Sequence, residues 1–454
     1  MRRRLVLPLL MLMCACTPVS QNHTASRAVI AETTLPPMKS FKASAPASQR
    51  ISNADLVVDF IDLSFALESG RALPVLTRFE GPISLRVTGR PPPTLNADLT
   101  GLLGRLRREA GINITKTSSA SANVTVEAVP RAAIQKALPQ AACFVAPNVR
   151  SLAEYRSERR RDTTNWALLR NRTHLTIVLP NDASPQETRD CLHEELAQAL
   201  GPLNDLYRLP NSVFNDDNVH TVLTDFDMLI LRATYAPELA NGMSKEMVAR
   251  ALPKVFARIH PAGQFSSTRR VSRTPSAYAR AIETALGPGV APAQRRRAAN
   301  QAVKIASDMG WKDNRRGFAH YARGRVLQNT NASAAVAEFR LADRIYAADP
   351  QTQLHRAFVA TQLGAYALAK GDTKGVSVAV TPYIPTAKSA QNAALLATLQ
   401  LLKAEALQIE GRVQDANAIR LDSLGWARYG FGSDWAVEAR LREIASLRPS
   451  PDPV

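Results

Sequence analysis

The stretch whose reading decides the fold is Ser184–Phe214, SPQETRDCLHEELAQALGPLNDLYRLPNSVF. Ser184, Pro185 and Glu187 mark a helix start, with an N-cap, a proline at the first helical position and the glutamate of a capping box. Gly201 followed by Pro202 ends it. Wound at about 100° per residue, Leu192, Leu196, Ala199 and Leu200 form one apolar stripe that faces a core. Cys191, Glu194, Glu195 and Gln198 form a polar arc beside it, and Glu194 and Gln198 lie one turn apart. That arc is either the working face of a cleft or an ordinary solvated helix face.

A zinc-protease helix of the form H-E-x-x-H starting at His193 fails, because the position four residues on is Ala197. His193 also lies about 140° from Gln198 on the wheel. Shifted by one residue, Glu194-Glu195-x-x-Gln198-x-x-Gly201-x-x-Asn204 resembles the longer metzincin pattern. The resemblance puts Glu195 in the general-base position. It puts Glu194, Gln198 and Asn204 in the three metal-ligand positions, with Asp205 as the alternative to Asn204. Ser212 and Phe214 resemble the serine-containing Met-turn, and Leu223–Tyr235 the helix that closes such a domain.

The runs CLHEELAQALGPLND, SVFNDD and DFIDLSFALESG look like an uncharacterised family of proteobacterial lipoproteins. That family is catalogued as a domain of unknown function related to metzincin-type metalloproteases. The likeness covers roughly residues 53 to 245 and implies a zincin-like α/β fold. A Glu/Gln/Asn donor set departs from zinc's preference for imidazole, thiolate and carboxylate, and suits calcium or magnesium weakly. The expectation is therefore a binding domain with no cofactor, a divalent cation being the alternative. Without a strong Lewis acid Glu195 has no activated water to work on.

Upstream, Arg2–Arg4 and the short apolar run Leu5–Met13 read as an export signal, too short to span a bilayer. Met13-Cys14-Ala15-Cys16 resembles a lipobox, with Cys16 as the lipidated residue at the end of a signal spanning 1–16. Residues 17–52, rich in Ser, Thr, Ala and Pro, read as a disordered tether. Export leaves Cys143 and Cys191 in an oxidising compartment, where an even pair reads as a disulfide. Closing a loop of about fifty residues contributes about 4 kcal/mol on a chain-entropy basis.

From residue 53 to 260, strand and helix patterns alternate, which predicts an α/β sheet domain with the strand Thr173–Leu179 leading into the central helix. Residues 261–276 read as a linker, and residues 277–448 as alanine-rich helices. Ala319–Pro350 resembles a tetratricopeptide unit, with Ala335 and Phe339 at the repeat's spacing and Gly324 at its small-residue position. Looser pairs follow at Gln353–Val380 and Ala394–Leu424. A plain helical bundle is the alternative.

The net charge is +18. No helix-turn-helix, zinc-finger or RNA-binding signature accompanies it, so nucleic acid is not an expected partner. The expected function is a lipoprotein of the outer membrane facing the periplasm, bound to the membrane through its lipid, that holds peptide or protein partners. An active metallopeptidase and a structural envelope scaffold are the alternatives.

Overall fold

Val124–Val129 (β3) and Leu175–Pro180 (β5) are the apolar runs that pair at the centre of a five-stranded sheet. The computed structural model describes residues 35–41, 51–266, 269 and 272–449. The signal with Cys16 and most of the tether lie outside the described residues.

The strand order is β2-β1-β3-β5-β4, with β1 at Ile83–Gly89, β2 at Ile114–Lys116 and β4 at Phe144–Pro147. β1, β2, β3 and β5 run parallel, while β4 runs antiparallel to β5 at one end. Every residue of β5 is buried, as expected for a parallel strand covered on both faces. Its alternation sorts two cores. Leu175, Ile177 and Leu179 join the main core, and Val178 joins a smaller one with Ile134 and Leu152.

The helices of this region are α1 (Asn53–Ser64), α2 (Leu95–Glu109), α3 (Arg131–Ala137), α4 (Leu152–Glu158), α5 (Pro185–Leu200), α6 (Asp225–Thr234) and α7 (Lys245–Ile259). α5 is the helix expected from the sequence, and Ser184 Oγ accepts from Glu187 N–H. The reciprocal half of the capping box is a correction: the Glu187 carboxylate turns to Arg131 instead, at 2.5 Å. β4 and α4 were not anticipated. A four-residue edge strand and a two-turn helix are too short to show periodicity.

The C-terminal region is all helical: α8 (Ser276–Leu286), α9 (Pro292–Asp308), α10 (Asn314–Leu327), α11 (Ala332–Tyr346), α12 (Gln353–Ala369), α13 (Thr373–Val380), α14 (Ile384–Ser389), α15 (Ala393–Ile409), α16 (Val413–Phe431) and α17 (Asp434–Ala445). In the α10–α11 pair Ala335, Phe339 and Ala342 are fully buried. A Cβ at Gly324 would come within 2.6 Å of the Phe339 ring, so the small residue there serves close helix approach. Among the described residues no helix is long and apolar enough to cross a membrane.

This helical region grips the start of α5. Gln186 Nε2 donates to Asn392 Oδ1 (3.1 Å), Ala394 N–H donates to Gln186 Oε1 (2.9 Å), and Arg189 donates to the Gln391 carbonyl. Gly432, at φ +92°, ends α16 against the α5 N-cap, where a Cβ would lie 3.2 Å from Ser184 Cα. Two segments expected to be unstructured also pack. Leu35–Phe41, inside the expected tether, lies along α16: Lys39 N–H donates to the Gly425 carbonyl, and Phe41 stacks on Trp426 with ring centroids 4.5 Å apart. In the expected linker, Ser272 accepts from Trp311 Nε1 and Arg315 Nη2, both at 3.0 Å, and Ser276 is already helical.

Candidate functional site

Two covalent and ionic ties fix α5 before its chemistry begins. Cys191 is bonded to Cys143, the residue just before β4, so the expected disulfide joins the helix to the end strand. At the other end, the buried Arg172 caps the C-terminus: Nη1 donates to the carbonyls of Gln198 (2.6 Å) and Ala199 (2.7 Å), and Nη2 to that of Gly201 (2.5 Å). These are the carbonyls a helix end leaves without partners, and a cation there opposes the negative end of the helix dipole. Burial lowers the Arg172 pKa to about 10, so it stays charged.

Between α5 and β4 lies a cavity of about 440 Å³. Glu194, Glu195, Gln198 and Asp205, four of the expected site residues, line it together with Glu68 and Asp216. The polar arc of α5 is therefore not a solvated face: Glu195 and Gln198 are 5% and 7% exposed. The other wall carries Cys143 and, from the β4 edge, Phe144 and Val145. Outside its ladder with β5, the backbone of residues 143–146 has no hydrogen-bond partner among the described residues.

Among the described residues, five carboxyl groups line this space and no Lys or Arg does. Burial first, and then the neighbouring carboxylates, pushes Glu194 and Asp216 up to about 7. Glu195 and Asp205 are raised well above the carboxylate range for the same reasons, and burial also raises Glu68. The carboxyls of Glu68, Asp205 and Asp216 share this space, and their mutual repulsion favours the protonated forms. Glu195 Oε2 and Asp205 Oδ1 are buried without a partner among the described residues. The upward shift favours the protonated form of Glu195, which weakens it as a general base.

Other expected site residues lie elsewhere. Asn204 turns away, donating Nδ2 to the Asp62 carbonyl at 2.8 Å. Ser212 is buried under α6: its Oγ donates to Asp227 Oδ1 at 2.5 Å and accepts from Phe214 N–H at 2.9 Å. Burial raises Asp227 to about 6 against those bonds. Phe214 is fully buried in the main core, a hydrophobic role a methionine could also fill. The Ser212 turn thus supports the site without lining it. His193 Nδ1 accepts from Leu223 N–H at 3.1 Å, and burial holds its pKa well below the usual value. His220 binds the Pro210 carbonyl at 3.0 Å and is lowered to about 4 by burial. His174 sits beside Thr173 before β5. None of the three lines the cavity.

The donors fit zinc poorly. Among the described residues no imidazole lines the cavity, and both nearby sulfurs are tied in the disulfide. Hard oxygen donors of Glu68, Glu194, Glu195, Asp205 and Asp216 are what a cation would meet. Among the described residues no group of three or more His, Cys, Asp or Glu is arranged to hold a metal ion.

Glu68 and Asp216 were missed as site residues, yet each sits inside a stretch singled out in the sequence, DFIDLSFALESG and SVFNDD. In the first stretch Asp59 and Asp62 bind Arg208, each at 2.9 Å, and so anchor the loop that carries Asp205.

Residues 53–254 match the family described as "Protein of unknown function (DUF2927)", so this region is a DUF2927 domain. No curated protein and no solved structure matches the chain.

Proposed function

We propose that the protein is an envelope lipoprotein whose DUF2927 domain, a degenerate metzincin-like fold, binds an extended basic segment of a peptide or protein without cleaving it. The observation that carries this reading is a wall of five carboxyls with no Lys or Arg among the described residues, in a chain of net charge +18. A positively charged occupant supplies the missing counter-charge and draws the raised carboxyls back into their ionised form. The end strand β4 borders the same space, and an edge with unpaired backbone groups recognises an extended chain by adding a strand. Four parallel strands, one antiparallel edge strand and a helix directly after the last strand support the zincin-like descent. The paired helices α10 to α16 support the tetratricopeptide-like reading of the C-terminal region and its role as a partner-binding scaffold.

The test is binding of labelled extended peptides, lysine-rich against glutamate-rich, to the wild type and to Glu194→Gln, with mass spectrometry for cleavage products. The basic peptide binds, loses about tenfold in affinity in the variant, and is recovered intact. Because protons compete with the cation, affinity rises from pH 6 to pH 8. Equal binding of the acidic peptide would end the proposal. Cleavage by wild type that vanishes in Glu195→Gln would replace it with a peptidase.

A further inference from the structure

Asp216 lines not only the acidic cleft but also a second and larger cavity, of about 800 Å³, on the side of the helical region. Its walls come from parts of the chain far apart in sequence: Tyr207 after α5, Glu283 from α8, Phe318 and Tyr321 from α10, and His355 from α12.

Three features of this pocket point to one ligand chemistry. The first is a continuous aromatic wall. The Tyr207 and Phe318 rings lie 6.2 Å apart, and Phe318 and Tyr321 are stacked, also at 6.2 Å, with 17° between their planes. The second is charge. Asp216, Asp217 and Glu283 line the space against Arg325, which is engaged with Tyr321 through an Nη1 bond of 3.3 Å to its hydroxyl. The third is an unused acceptor. His355 Nε2 bonds Asp217 Oδ2 at 2.8 Å, with both side chains 1% exposed, and its buried Nδ1 has no partner among the described residues. With Nε2 donating to the carboxylate, Nδ1 presents a lone pair. Aromatic faces, carboxylates and a bare imidazole acceptor together suit a planar cation with several donors.

We propose that this junction pocket binds an arginine guanidinium, stacked on the aromatic wall and hydrogen-bonded to Asp216, Glu283 and His355 Nδ1. Resting on the peptide-binding reading, it makes the helical region the part that selects which basic segment the DUF2927 domain holds.

The probe is N-acetyl-arginine amide, titrated by calorimetry into the full-length chain, with N-acetyl-citrulline amide as the neutral isostere. The arginine compound binds saturably, and citrulline binds at least about tenfold more weakly. Glu283→Gln, a change at an exposed position, weakens arginine binding several-fold, while Glu246→Gln on the surface of α7 leaves it unchanged. Equal binding of arginine and citrulline, or indifference to Glu283→Gln, overturns the assignment. A chain that binds the basic peptide but neither small compound loses the pocket and keeps the cleft. One that binds the arginine compound but no extended peptide keeps the pocket and loses the cleft.

Discussion

Glu194 in the cleft and Glu338 in α11 are both glutamates removed from water on a helix, yet they are treated in opposite ways. Glu338 accepts from His320 Nδ1 at 2.7 Å and from Arg323 Nη2 at 2.5 Å; burial raises its pKa, but these partners outweigh it and hold the carboxyl below its ordinary value. Glu405 in α15 is likewise paired, with Arg420 and Arg448. Glu194 shares its cavity with four other carboxyls and, among the described residues, no Lys or Arg, and burial and those neighbours push it up to about 7. The helical region uses buried charge in finished pairs. The cleft leaves its charge unfinished, which costs stability and persists only where something else constrains the structure. That difference is the reason to place function at the cleft.

The largest expected effect comes from cutting what holds the cleft side together. Cys191→Ser should lower stability by about 4 kcal/mol under oxidising conditions. Thermal melts with and without reductant check it, and an equal drop in both would mean that the bond itself contributes nothing and that the loss is that of the cysteine's packing. Arg172→Met should cost about 3 kcal/mol, since it strips three carbonyls of a charged donor in a buried place. A denaturant midpoint unchanged from wild type would show that the α5 terminus finds other partners.

The next two changes test the comparison itself. In the unfolded chain glutamates ionise near 4.5, but in the fold Glu194 keeps its proton to about 7. Between those values the native state binds more protons, so this group's contribution to stability falls as pH rises. Glu194→Gln should therefore stabilise at pH 8 by about 2 kcal/mol, and by almost nothing at pH 4. Glu338 has the opposite sign. Its lowered pKa contributes stability that is present above about 4.5 and lost as pH falls through the folded value. Glu338→Gln should cost about 1 kcal/mol at pH 7 and nothing in acid. Chemical denaturation of both variants across that range is the check, and slopes of the same sign would erase the distinction between the two regions.

Much of the frame was legible in the chain. The capped helix at Pro185–Leu200, the strand before it, the alternation of strands and helices, the Cys143–Cys191 pair and the helical second half all follow from local patterning and cysteine arithmetic. Glu194, Glu195, Gln198 and Asp205 were legible as a polar face because helix period alone puts the first three on one side. Glu68 and Asp216 were not, since nothing local says that a residue after α1 and one after the Ser212 turn will meet over α5. Asn204 was assigned to the cluster by register, but an open backbone carbonyl at Asp62 claimed its amide.

What the sequence by itself determined was periodicity, caps and the available pair of thiols, because these depend on neighbours within a turn or two. Only the tertiary structure decided that the polar flank of α5 is buried, that its acids share one space without a cation, and that the helical region walls the adjoining pocket. Burial and mutual distance set both the pKa of a carboxyl and the company it keeps, and neither is a property of any residue alone.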